Sequence, residues 1–450
     1  MKAVCAEKVA QNVLQERMDL PPEVSTSIEV TVEEKWYSLK LESKELMLPN
    51  VFFSNAVGKW LSKETLPTLP LKEFSNPELK DLKLPVPVLF GNEEEKDPEK
   101  SLPIDIFGSI YFQLSRYEEA VVEELDSHQR FPATASLAYK GDFLERPLVD
   151  EYREIFWVYF SRIWPRVIRQ KREPRTIVSC DIDWPKDPAA SSFYYSSRKA
   201  LGRVVREKSI PLALNVMSNY WSSRGGSLAK DPFHQGIQWM MDVNEKAGNQ
   251  VTFNFIPKQT HSSLDHPYPF DSEEMRTLVG QIHKRGHLIG FHPGYDTFNN
   301  PKKFKESADI FWRVIDAANI QQNEFGGRQH FLRWQQPATA KLWEENGFSY
   351  DSTLGFADRA GFRCSTSREF SMFGLDADNW LMRLKQQPLV LMECTVMAKR
   401  YMGLGQSDKA LQYMQSLKKT CEDYGGDFTL LWHNTEVSNP HVREIYQQLI

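Results

Sequence analysis

The chain has 450 residues, 41% hydrophobic and 26% charged, a globular composition that excludes collagenous, disordered and bilayer-spanning classes. A formal net charge of −5 without a dense Lys/Arg stripe excludes a strongly basic nucleic-acid binder. The five cysteines (Cys5, Cys180, Cys364, Cys394, Cys421) are odd in number and scattered, so neither a disulfide framework nor a thiolate zinc site is expected. Lys2, Glu7, Lys8, Glu16 and Arg17 interrupt the first twenty residues, and no run of 18 apolar residues occurs. The expectation is a protein with no leader and no membrane span, located in the cytoplasm.

In chain order, residues 1–100 mix short extended pieces (27–32 and 36–41) with Pro67, Pro70, Pro77, Pro85 and Pro87, which predicts a small irregular region with short strands. Residues 104–125 carry Ile106, Ile110 and Leu114 at helical spacing, and 147–168 read as a second amphipathic helix. The charged run 170–174, ending in Pro174, marks a boundary between 1–172 and 173–450. Beyond it, short apolar strands are predicted at 176–182, 211–217, 250–256, 287–291, 330–334, 389–394 and 428–432. The helices between them have readable ends. Asp271 with Glu274 reads as a capping box, and Gly286 as a C-terminal glycine. Others span 337–346, stopping at Gly347, and 407–424 before Gly425-Gly426. The alternation predicts an α/β fold, a distorted (β/α) barrel preceded by an N-terminal α+β domain, with chemistry at the carboxyl ends of the strands.

Asp181 and Asp183 end the first barrel strand on one side, a pairing of like charges that calls for a cation, an Arg or a retained proton, unless it only caps a turn before Trp184-Pro185. His292 ends another strand, and Asp296 follows four residues later; an imidazole with carboxylates suits zinc or a similar ion. His287 falls on the opposite strand face and reads as packed. Arg328 and Arg333 are candidates to hold a catalytic carboxylate ionised, or simple structural ion pairs. His433, at the end of the last strand, is a candidate general acid or a hydrogen-bonded core histidine beside Trp432. Glu393 is an ionisable group in an apolar strand and is expected to meet substrate or an Arg. Trp184, Tyr295 and Trp334 complete the candidate substrate-binding set. His261, Asp265 and His266 form an alternative metal cluster on a polar loop.

These pieces, in this order from about 176 to 435, resemble the polysaccharide deacetylase (NodB-homology) family. The segments 114–119, 126–131 and 144–147 resemble the domain that precedes such deacetylases in bacterial surface-polysaccharide clusters, a two-domain subgroup. The resemblance implies that Asp181 is the base, Asp183 and His292 metal ligands, Arg328 or Arg333 the orienting Arg and His433 the acid. Asp-x-Asp stands where the family usually has adjacent aspartates, and Asp296 where it has its second ligand His. The implied function is a metal-dependent hydrolase, with zinc as the expected divalent metal. It would remove an N-acyl (acetyl) group from a sugar in a surface-polysaccharide precursor. The alternatives are a non-catalytic glycan-binding barrel and a cyclic-amide hydrolase of the same superfamily. The N-terminal part is expected to supply no catalytic group.

Overall fold

The computed structural model describes residues 4–450 except 34, 81, 92–99, 189–192, 206, 207, 209 and 224–230. Three strands near the start, β1 (Glu29–Val32), β2 (Trp36–Leu41) and β3 (Lys44–Pro49), form an antiparallel sheet. Next, β4 (Lys72–Phe74) pairs with β5 (Val86–Val88). The large sheet takes β6 (Arg175–Ile182), β7 (Val251–Phe255), β8 (Leu288–Phe291), β9 (Gly326–Gly327), β10 (Tyr350–Asp351), β11 (Phe370–Phe373), β12 (Leu381–Gln386), β13 (Leu391–Met392) and β14 (Asp427–Leu431). Its order is β11-β12-β10-β9-β8-β7-β6-β14-β13, and every pair is parallel except β11 with β12. Helices link most of the parallel strands, so the fold is a distorted (β/α) barrel, open between β13 and β11 among the described residues.

The central strands form where apolar and β-branched residues are concentrated, with a few buried polar residues among them. Val178 pairs with both Val251 and Leu430, and every residue of β7 and β14 is buried, as strands between a barrel interior and an outer layer of helices require. At the amino end of β14, Asp427 accepts from Arg172 and Arg175 at 2.8 Å each, which fixes the entry of the chain into β6. The carboxyl ends of β6, β8, β9, β13 and β14 all face one spot.

The first 165 residues do not pack apart from the barrel. One continuous hydrophobic core runs from Val4 to Leu449. Tyr111 packs edge-on against Phe373 and donates to the Gly374 carbonyl at 2.7 Å, and Trp60 donates to the Leu375 carbonyl. Beneath, Asp150 is fully buried between Arg153 (2.7 Å), Thr366 (2.8 Å) and Arg368.

Several sequence expectations change. Residues 211–217 lie in the helix Ile210–Ser223, not in a strand, and that helix packs chiefly against Phe193–Val205 as a hairpin. Of the strand expected over 330–334, His330–Leu332 form a short 3-10 turn, while the strand before them is only Gly326–Gly327. The run 389–394 gives a two-residue strand and then the helix Glu393–Met397. The helix expected over 104–125 breaks at Arg116, which has φ 52°. Ser272, not Asp271, caps Glu273–Lys284, its hydroxyl accepting from Met275 N.

Candidate active site and metal centre

Asp183 follows β6, His292 follows β8, and His330 stands in the turn after β9. One donor atom from each lies within 4.8 Å of the others. His292 Nε2 and His330 Nε2 are each 3.4 Å from Asp183 Oδ1. The far nitrogens are already engaged: His292 Nδ1 donates to the Arg328 carbonyl at 2.6 Å and His330 Nδ1 to Asp265 at 2.7 Å. A carbonyl and a carboxylate accept only, so both protons sit on Nδ1 and both Nε2 lone pairs point inward. Asp183 Oδ1 is buried and accepts no hydrogen bond. Three electron-rich atoms facing one another with nothing between them fit a divalent cation, and two imidazoles with a carboxylate suit zinc.

Asp265 earns its place by orientation. Besides His330 it accepts from Thr260 Oγ1, from the Thr260 and His261 amides, and from Tyr295 N at 2.7 Å. Burial pushes its carboxyl upward, but these bonds, led by His330, hold it below the usual range.

Beside the triad, Asp181 Oδ1 accepts from Asn254 at 2.7 Å and from Arg328 at 3.0 Å, while Oδ2 faces His292 Nε2 at 3.8 Å. Burial raises the Asp181 pKa, but Arg328, then His292 and His433, outweigh it and keep the carboxyl ionised. Arg328 is itself fully buried and also bonds Ser179 Oγ and Ser352. Across the site, His433 Nε2 is 3.8 Å from Asp183 Oδ2. Its Nδ1 and backbone amide both donate to Glu393 Oε1, at 2.5 and 3.1 Å. Burial would lower the imidazole pKa, yet Glu393 pushes it up to about 10. Asp181, His433 and the triad line a cavity of about 220 Å³, whose rim includes Arg130, Arg400 and Tyr401.

Asp181, Asp183, His292, Arg328, Glu393 and His433 thus meet in one place. Asp296 does not: its carboxylate is held by Lys303 at 2.8 Å, and His330 stands in the position the four-residue spacing assigned to it. Arg333 lies away from Asp181, bonding the carbonyls of His128 and Tyr295 and stacking on the Tyr295 ring. Trp334 is buried with its indole N–H on Asp351, and Tyr295 is packed with its hydroxyl on His128. Both are structural supports. Glu393 orients His433 rather than meeting an Arg. Trp184 stacks on His266 at 3.8 Å, so the loop 261–266 splits between this stacking and the support of His330. His287 is packed, accepting from Val251 N. Sequence reasoning missed His330, because a strand through it would have hidden its ring, and it missed Asn254 inside an apolar run.

No curated protein matches the chain. A family described as "Family of unknown function (DUF7033)" matches residues 5–165. The chain is similar to a provisionally assigned polysaccharide deacetylase of Mycobacterium smegmatis, at 14% identity and TM-score 0.40, over 62% of this chain and 83% of that one. It is also similar to PuuE allantoinase (10%, TM-score 0.35) and to a provisionally assigned polysaccharide deacetylase of Pseudomonas aeruginosa PAO1 (13%, TM-score 0.35), each over 50% of this chain and 69% of the other. The fold assignment rests on the strand order itself.

Proposed function

We propose that the chain is a metal-dependent hydrolase of the polysaccharide deacetylase type, removing an N-acetyl group from a sugar of a bacterial surface-polysaccharide precursor. Residues 1–172 then act as an accessory part and 173–450 as the catalytic barrel. What carries the reading is that Asp183, His292 and His330 aim their remaining lone pairs at one point, with Asp181 on one side and His433 on the other.

Asp183, His292 and His330 would hold the ion. A bound divalent cation supplies Lewis-acid polarisation of a carbonyl and of a water. Asp181 takes the proton of the attacking water on Oδ2, since Oδ1 is engaged by Asn254 and Arg328. Arg328 keeps Asp181 ionised for that task. His433, held protonated by Glu393, gives a proton from Nε2 to the departing amine nitrogen as the C–N bond breaks. The products are a free amine and a carboxylic acid, so one water is consumed per acyl group.

The test is metal analysis and acetate release by the purified full chain on N-acetylated hexosamine oligosaccharides. About one divalent ion per chain and released acetate support the reading. A chain that neither carries nor gains stoichiometric metal, yet binds these sugars, is a glycan-binding barrel. Ring opening of a cyclic amide without acetate release points to the third reading instead.

A further inference from the structure

Nine of the fifteen large apolar side chains exposed among the described residues fall between Phe193 and Trp221. They sit on the helical hairpin Phe193–Val205 and Ile210–Ser223, whose two helices pack chiefly against each other. Leu201, Val205, Ile210 and Leu214 are each 63–66% exposed, more than a stable surface helix needs to leave in water. The same stretch carries five basic residues, among them exposed Arg198 and Lys208, against the single acid Glu207, in a chain whose net charge is negative. Tyr194, Tyr195 and Trp221 add amphipathic rings of the kind that settle at headgroup depth. The hairpin also borders the active-site mouth. A cavity of about 1140 Å³ between it and the barrel is lined by Trp184, Tyr195, Arg198 and Thr435, and Thr435 lines the catalytic cavity as well.

We propose that this hairpin docks the protein on an anionic phospholipid surface, lying in the interface with its apolar side chains in the acyl boundary and its Arg and Lys side chains among the headgroups. No helix among the described residues is long and apolar enough to cross a membrane, which makes docking in the plane of the interface the fitting mode. Charge chooses this occupant over a second copy of the chain: two hairpins of the same sign repel, whereas an anionic leaflet attracts each of them. The catalytic mouth is thereby held beside the lipid surface, where a membrane-borne substrate would arrive. The proposal does not depend on the reaction assigned to the cavity, and either can fail alone.

The experiment is sedimentation of the full chain with vesicles of phosphatidylcholine, with and without phosphatidylglycerol. Binding to the anionic vesicles is expected to be tighter by about tenfold or more, and to weaken as salt screens the charges. Val205→Glu with Leu214→Glu removes that binding, while circular dichroism and metal content stay unchanged because both positions are exposed and neither belongs to the triad. Arg198→Glu with Lys208→Glu abolishes the preference for anionic lipid. Equal or absent binding to both vesicle types overturns the proposal. So does a dimer seen by light scattering that the Val205/Leu214 variant dissolves in a protein that ignores vesicles.

Discussion

Glu393 Oε1 receives both the backbone amide and Nδ1 of His433, so the imidazole keeps its proton well above neutral pH. A general acid works only while protonated, and its deprotonation sets the alkaline limb of the rate profile. Glu393→Gln keeps an acceptor but removes the charge, so the His433 pKa falls and the limb moves to lower pH, by roughly one to three units. A pH profile of kcat/KM checks the direction; an unmoved limb would show that another group titrates there. Asp181→Asn preserves the bonds to Arg328 in outline but cannot take a proton, and turnover is expected to drop at least about 10²–10⁴-fold with metal still bound. Asp183→Asn and His330→Ala lose metal instead. Asp265→Ala, which leaves His330 without its anchor, weakens metal affinity by roughly 10–100-fold, readable by competition with a chromogenic chelator. Asp296→Ala leaves metal content unchanged, since Lys303 and not the ion holds that carboxylate. Asp181, Asp183 and His292 could be singled out because strand ends carry chemistry, whereas Asp296 was misjudged. His330 was not, because its ring is delivered by a turn with Phe331 and Leu332 at positive φ, which leaves no periodic trace.

Legibility followed local apolar character more than length: β12 has six residues, but its charged and polar LMRLKQ was not foreseen as a strand. The runs that became β6, β7 and β14 are long enough for their β-branched apolar character to stand out, whereas β9, β10 and β13 are two residues each and show no period at all. Residues 211–217 failed for a different reason: an apolar run cannot by itself distinguish strand from helix, and here the exposed hairpin made it helical. The shortness of β9 has a cost that a substitution can expose. A Cβ on Gly327 would run into the backbone of Phe291 on the neighbouring strand, so Gly327→Ala has to push β8 and β9 apart. A loss of about 1–3 kcal/mol in denaturant unfolding is expected, together with reduced activity, because Arg328 is the next residue. Unchanged stability would mean that the strands yield freely at this point.

For the molecule as a whole, the charged run 170–174 suggests a junction, but the packing shared across it leaves no mark in the sequence. Buried partners hundreds of residues apart leave no local sign. With one core from Val4 to Leu449, the chain is expected to unfold in a single calorimetric transition, and two resolved peaks would refute that. Asp150 tests the same coupling from its charged side. Removing it strips the partner of Arg153 and Thr366, while Asp19 still pairs with both Arg153 and Arg368, so Asp150→Ala should cost about 1–3 kcal/mol and lower the whole transition, not one part of it.

The ligand triad also bears on how fast the fold can come apart. Asp183, His292 and His330 follow three different strands, with whole helices of chain between them. An ion shared by them is a removable staple across those long crossovers, and stapling distant points restricts the opened chain most. On the proposed metal-loaded reading, the protein is expected to leave its native state slowly while loaded and quickly once stripped, so a chelator would set its lifetime as well as its chemistry.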